Sequence, residues 1–103
     1  MKVQILYFDG CPNFEPTLDL LKQTASKLSV HPQIDTVEVK SANDARRLRF
    51  LGSPTVRVDG QDVDPAARCR TDYAMSCRVY GSSHTPPREL LEAALLGGNG
   101  SCK

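Results

Sequence analysis

Few of the usual functional signatures occur in this chain. Thirteen lysines and arginines against twelve carboxylates leave a formal net charge of +1. No strong field therefore draws the protein to nucleic acid or to an anionic membrane. No apolar run approaches the roughly 20 residues of a membrane-spanning helix. The N-terminus carries Lys2 and a short apolar run, without a longer hydrophobic region or a cleavage site. That pattern argues against export and for a cytoplasmic protein. Internal repeats and low-complexity tracts are absent. So are a serine–histidine–acid set, a phosphate-binding glycine loop and an aromatic–basic nucleic-acid platform. Arg46, Arg47 and Arg49 make a short basic cluster with only Phe50 beside it. It reads as a solvated helix face.

What remains is an ordinary globular composition, 40% hydrophobic and 24% charged over 103 residues. One core and one domain follow, over residues 1–97. The tail 98–103 is glycine-rich and should be mobile, with Cys102 dispensable for folding. The other cysteines are Cys11, Cys69 and Cys77. With a core large enough to need no staples, several cysteines in a small cytoplasmic protein suggest redox work or metal binding. His31 and His84 adjoin loops or prolines and read as solvated residues.

Taken in order, residues 3–8 form a nearly all-apolar strand of the kind covered on both faces. Residues 12–28 read as a helix, with Leu18, Leu21, Ala25 and Leu28 on its buried face and His31-Pro32 as its stop. Residues 34–40 alternate as a second strand. Ser41 to Asp44 cap a second helix over about 43–51, with Ala45, Leu48 and Leu51 inward and Gly52 ending it. A third strand opens at Ser53-Pro54-Thr55. Asp59-Gly60 is a strong hairpin signal, with Gln61 to Val63 returning. Residues 64–84 are an excursion of irregular structure. Thr85-Pro86-Pro87 open a final helix, with Thr85 as N-cap and Leu90, Leu91, Ala94 and Leu95 apolar. The expected fold is α/β, in the order βαβαββα, with a mixed four-stranded sheet and helices on both faces.

The stretch Tyr7-Phe8-Asp9-Gly10-Cys11-Pro12-Asn13-Phe14 joins the first strand to the first helix. A helix start carries unpaired N–H groups and partial positive charge, and both favour a thiolate there. Asp9 and Glu15 flank Cys11, as proton acceptors or as opposing charges. Together, Cys11-Pro12 after the first strand and Ser53-Pro54-Thr55 opening the third resemble the thioredoxin fold. The resemblance covers roughly residues 1–63 and 85–97. It implies a cis bond at Ser53–Pro54, close to Cys11. Thioredoxins carry Cys-x-x-Cys, whereas Phe14 stands here at the second cysteine position. The chain looks more like small bacterial thioredoxin-like proteins with Tyr-Phe-Asp-Gly-Cys-Pro openings, some of which occur near mercury- or arsenic-handling functions.

Three functions fit these residues. The first is thiol–disulfide exchange. Cys11 attacks as thiolate, and Pro12, Ser53, Pro54 and Thr55 present backbone to a thiol or disulfide substrate, protein or glutathione. Resolution then needs glutathione, Cys69, Cys77 or Cys102. Cys77 is favoured as the internal partner because the excursion is expected to return over Cys11, while Cys69 between Arg68 and Arg70 looks more solvated. The second function is binding or carrying a soft metal or metalloid ion on thiolates. The Cys69-to-Cys77 spacing matches no zinc ribbon. The third is an interaction module without catalysis. No organic cofactor is implied.

Overall fold

The computed structural model describes residues 1–97. The expected tail at 98–103, including Cys102, lies outside the described residues.

The sheet is built outward from its first strand. β1 (Lys2–Tyr7) alternates its side chains between two apolar layers. Val3 and Ile5 enter one layer and Leu6 the other. Such a strand must be covered on both faces. It pairs in parallel with β2 (Gln33–Glu38), from Lys2 opposite Gln33 to Tyr7 opposite Glu38. On its other edge it pairs antiparallel with β3 (Thr55–Val58), Leu6 lying opposite Thr55. β4 (Gln61–Asp62) returns against β3. The order is β2-β1-β3-β4 in a mixed four-stranded sheet. Asp59 and Gly60 both take positive φ, 49° and 86°, as a two-residue hairpin turn requires.

α1 (Phe14–Lys27) and α3 (Arg88–Leu95) cover one face, where Leu21, Ala25, Leu91 and Leu95 meet Val3, Ile5, Val56 and Val58. α2 (Ala42–Arg47) supplies Ala45 to the other face, with Phe50, Val39 and Leu6. Each fully buried leucine contributes about 1.5–3 kcal/mol.

The helix ends differ from expectation. α1 begins at Phe14 rather than Pro12, with Asn13 as N-cap. Residues 11–13 form a turn instead. Cys11 N–H donates to the Phe8 carbonyl (3.3 Å) and Phe14 N–H to the Cys11 carbonyl (3.4 Å). Neither α1 nor α2 waits for its proline or glycine stop. Ser29 and Arg49, both at φ 56°, close them instead, α1 at its expected boundary near residue 28 and α2 short of its expected end at 51. Val30 N–H reaches back to Ala25 O (3.0 Å), and Phe50 N–H to Ala45 O (2.8 Å). This is the six-to-one closure of a Schellman motif, with an apolar residue following the left-handed one. Ser41 caps α2 as expected, accepting from Asp44 N–H at 3.1 Å. Thr85 does not cap α3; Pro87 stands at that position, without a side-chain bond.

The excursion has a 3-10 turn, Pro65–Ala67, and then docks on the start of β3. Ala74 N–H donates to Phe50 O (3.0 Å). Ser53 N–H donates to Ser76 O (2.8 Å), and Arg78 N–H donates to Ser53 O (2.9 Å). Residues 76–78 thus continue, beside Ser53, the pairing that β4 makes further along β3. Gly52 is what lets the backbones approach. Its φ is 120°, and a Cβ there would lie 3.0 Å from Arg78 N. Gly52→Ala combines a backbone strain of order 1–3 kcal/mol with that clash. Urea unfolding should show a loss of at least about 1 kcal/mol, and hydrogen exchange should show faster exchange at Ser53 and Arg78.

Candidate functional site

The loop after β1 and the segment before β3 meet at one end of the sheet. Leu6 and Thr55 are the last register pair, so Phe8 and Ser53 follow on opposite strands. Phe8 N–H donates to Ser53 Oγ at 3.4 Å. The Phe8 carbonyl accepts from Cys11 N–H. One residue therefore ties Cys11 to the Ser53-Pro54-Thr55 segment. The Ser53–Pro54 peptide is cis, as expected. Ser53, Pro54 and Thr55 are all buried, Cys11 is half-buried and Pro12 is exposed.

The setting of Cys11 departs from the sequence-based expectation. Helix α1 starts beyond it, and the Phe14 N–H is directed at the Cys11 carbonyl rather than at its sulfur. The influence of a helix terminus is confined to its first turn. Phe14 stacks on Tyr7 with ring centroids 4.1 Å apart and planes at 21°. The position of a second cysteine is thus taken by an aromatic contact that pins the helix start to β1.

Cys77 is free and exposed, and it sits across a parallel bridge from Ser53. Cys69 is exposed and disulfide-bonded, so it is not a free thiol. Among the described residues, no three His, Cys, Asp or Glu side chains gather in a metal-binding group. His31 and His84 are exposed, in line with solvated histidines. No helix among these residues is long and apolar enough to cross a membrane.

The support beneath this site was not foreseen. Arg78 and Asp62 form a buried ion pair, 1% and 7% exposed. Nη1 donates to Asp62 Oδ2 (2.9 Å) and to Thr55 Oγ1 (3.1 Å), and Nη2 donates to Asp62 Oδ1 (3.0 Å). Thr55 Oγ1 in turn donates to Gly52 O at 2.5 Å. The guanidinium carbon lies 4.5 Å from the centre of the Tyr80 ring. The Tyr80 hydroxyl donates to Pro54 O at 2.7 Å. Burial is the largest single effect and opposes the charge on Arg78. The Asp62 hydrogen bonds and the nearby acidic groups of Tyr80, Asp62 and Asp64 together outweigh it and hold the group above the ordinary guanidinium range. Burial likewise pushes the Tyr80 hydroxyl well above the usual phenol range.

Alternation could have revealed part of this. In Cys77-Arg78-Val79-Tyr80 the side chains alternate out and in, with Val79 exposed and Arg78 buried. Hydrophobic patterning assigns the opposite faces. No pattern in the sequence pairs Arg78 with Asp62.

Comparison with protein-family models, curated proteins and solved structures finds no match for this chain.

Two outcomes follow. Removing one partner of a buried ion pair costs about 3–5 kcal/mol, because the other charge is left buried and alone. Asp62→Ala should lower stability by that amount in urea, and Asp62→Ala/Arg78→Met should recover part of it. The second outcome concerns alkaline pH. The unfolded tyrosine ionises near pH 10, while the folded Tyr80 keeps its proton. Its contribution is therefore fully present below about pH 10 and is lost as pH rises further. Ultraviolet titration should show a phenolate amplitude that appears only on unfolding, and Tyr80→Phe should remove it.

Proposed function

We propose that this protein is a thiol–disulfide redox protein of thioredoxin-like fold, with Cys11 as its reactive cysteine. The observation that carries the reading is the link from Cys11 through Phe8 to the Ser53-Pro54-Thr55 segment. A free, half-buried thiol stands on the turn after β1, beside a buried cis-proline segment. The mixed sheet with helices on both faces is consistent with the fold that the sequence resembles.

In the reaction, the Cys11 thiolate attacks one sulfur of a substrate disulfide. A Cys11–substrate S–S bond forms as the substrate's own S–S bond breaks. The departing sulfur leaves as a thiolate and takes a proton from water. A second thiol then attacks the mixed disulfide. Glutathione, attacking at the substrate sulfur, releases Cys11 as thiolate and leaves a substrate–glutathione disulfide. Cys77, attacking at the Cys11 sulfur, releases the substrate thiolate and leaves a Cys11–Cys77 disulfide that glutathione then reduces. Phe14 cannot supply that thiol. Glutathione or another cysteine would, and among the described residues Cys77 is the exposed free cysteine on the segment that docks at Ser53. Pro12, exposed beside Cys11, would guide the substrate. The Ser53 backbone and the Pro54 carbonyl are buried and already bonded to Ser76, Arg78 and Tyr80, so that segment supports the Cys11 turn rather than the substrate. Soft-ion binding has no cluster among the described residues to rest on.

The test is exposure of the protein to glutathione disulfide, followed by peptide mass spectrometry. The expected result is a glutathione adduct on Cys11 that Cys11→Ser abolishes. Cys77→Ser should leave the adduct forming and prolong its lifetime if Cys77 resolves it. Modification of Cys77 with Cys11 untouched would overturn the assignment.

A further inference from the structure

Away from Cys11, at the β4 edge of the sheet, a pocket of 310 Å³ gathers four arginines: Arg49, Arg57, Arg68 and Arg70. They come from three separate places in the fold. Arg49 closes α2, Arg57 lies on β3, and Arg68 and Arg70 follow the 3-10 turn. Arg49 and Arg70 are exposed and Arg57 and Arg68 half-buried, so solvent screens part of their mutual repulsion, and an anion entering the pocket would relieve the rest. The internal counter-charges are largely committed. Asp62, in the pocket wall, has both carboxylate oxygens taken by Arg78. Asp72 pairs with Arg70 at 2.7 Å. Arg68 Nε donates to Asp62 O at 2.8 Å, which fixes that side chain in the wall.

Arg57 is the telling residue. It is half-buried, its Nη2 donates to the Arg49 carbonyl, and it makes no ion pair with a carboxylate among the described residues. Burial, with the nearby charges of Arg78 and Arg49, drives it below the ordinary guanidinium range despite the opposing pull of Asp62. The rest of its planar donor fork is available to an oxyanion. Leu51, Ala67 and Tyr73 complete the lining with apolar and aromatic surface. The volume is at the small end of pockets that hold small molecules, and larger than a bare phosphate fills. A single concavity with a net charge of only +1 over the chain suits a small anion better than a polymer.

We propose that this pocket binds a small organic phosphate monoester, its dianionic head on the arginines and its organic body against Leu51, Ala67 and Tyr73. Paired guanidinium forks match a phosphate head in charge and in geometry. The site is independent of Cys11 and stands whether or not the thiol reading holds.

The test is titration calorimetry at low salt with phenyl phosphate as the probe, alongside inorganic phosphate, benzoate and phenol. Phenyl phosphate should bind saturably at one site and more tightly than inorganic phosphate, and phenol should not bind. Amide shifts in the NMR spectrum should centre on Gly60 and Tyr73. Arg49→Gln and Arg57→Gln should each weaken binding about ten-fold or more. Arg46→Gln removes the same charge from outside the pocket and should change affinity less than about two-fold, on the scale of a screened surface charge. If Arg57→Gln does not fold, Arg57→Lys keeps the charge and removes the fork, and it too should weaken binding. Absence of saturable binding, equal losses in Arg46→Gln and Arg49→Gln, or benzoate binding as tightly as phenyl phosphate would each overturn the proposal.

Discussion

Arg78 has the largest side chain among the fully buried residues, and its charge has to be answered inside the protein. Transferring an isolated ion from water to the interior costs several kcal/mol even after relaxation. Asp62 answers it with two hydrogen bonds and Thr55 with a third, while Tyr80 covers the guanidinium face. The Nε alone has no partner. Replacing such a pair by apolar residues is often neutral or stabilising, so its value here is better sought in placement than in net stability. It joins three separate stretches of chain: β4, the start of β3 and the excursion. A hydrophobic contact could hold these together, but it would not fix them in one register.

The register is what the site depends on. Once Arg78 is fixed, its own N–H reaches Ser53 O, and Ser76 O reaches Ser53 N–H. Both backbone groups of Ser53 are then satisfied from the excursion side. That leaves the Ser53 hydroxyl turned toward β1, where it accepts from Phe8. Tyr80, two residues on, takes the Pro54 carbonyl. A buried loop normally fails because its polar backbone groups lack partners. Here the excursion supplies them, and Cys77 is carried to the edge of the same segment, exposed beside Ser53.

The regular elements were legible in the sequence for a simple reason: burial imposes periodicity. β1, β2, α1 and α3 show it and appear in the expected order. The Asp59-Gly60 turn was legible because two successive positive φ angles admit few residues. The stop signal of α1 and the end of α2 were misread because Ser29 and Arg49, which are neither glycine nor asparagine, take the left-handed position. The clue lay one residue later, in Val30 and Phe50, whose apolar side chains pack back and favour that closure. The start of α1 was misread because Pro12 suits a first helical position, but Pro16 suits the first turn equally well, where no intrahelical N–H is needed. With two prolines four apart, the helix forms around the second, and Cys11 is left on the turn.

The excursion resisted reading because its ordering comes from long-range polar pairing. Arg78 meets Asp62 across sixteen residues and Thr55 across twenty-three. Hydropathy places an arginine outside and a valine inside, the reverse of what Arg78 and Val79 do. The same inversion accounts for the arginine pocket. By taking both oxygens of Asp62, Arg78 leaves Arg57, opposite Asp62 in the register, only that carboxylate's longer-range pull. The cluster at Arg46, Arg47 and Arg49 is therefore not uniform. Arg46 and Arg47 bond to Asn43 and Asp44 on their own helix, as a solvated face would. Arg49, past the helix end, joins the pocket instead. One buried ion pair thus bears on both ends of β3: it orders the Ser53 end by hydrogen bonds, and it leaves Arg57, toward the hairpin, without an ion-pair partner among the described residues.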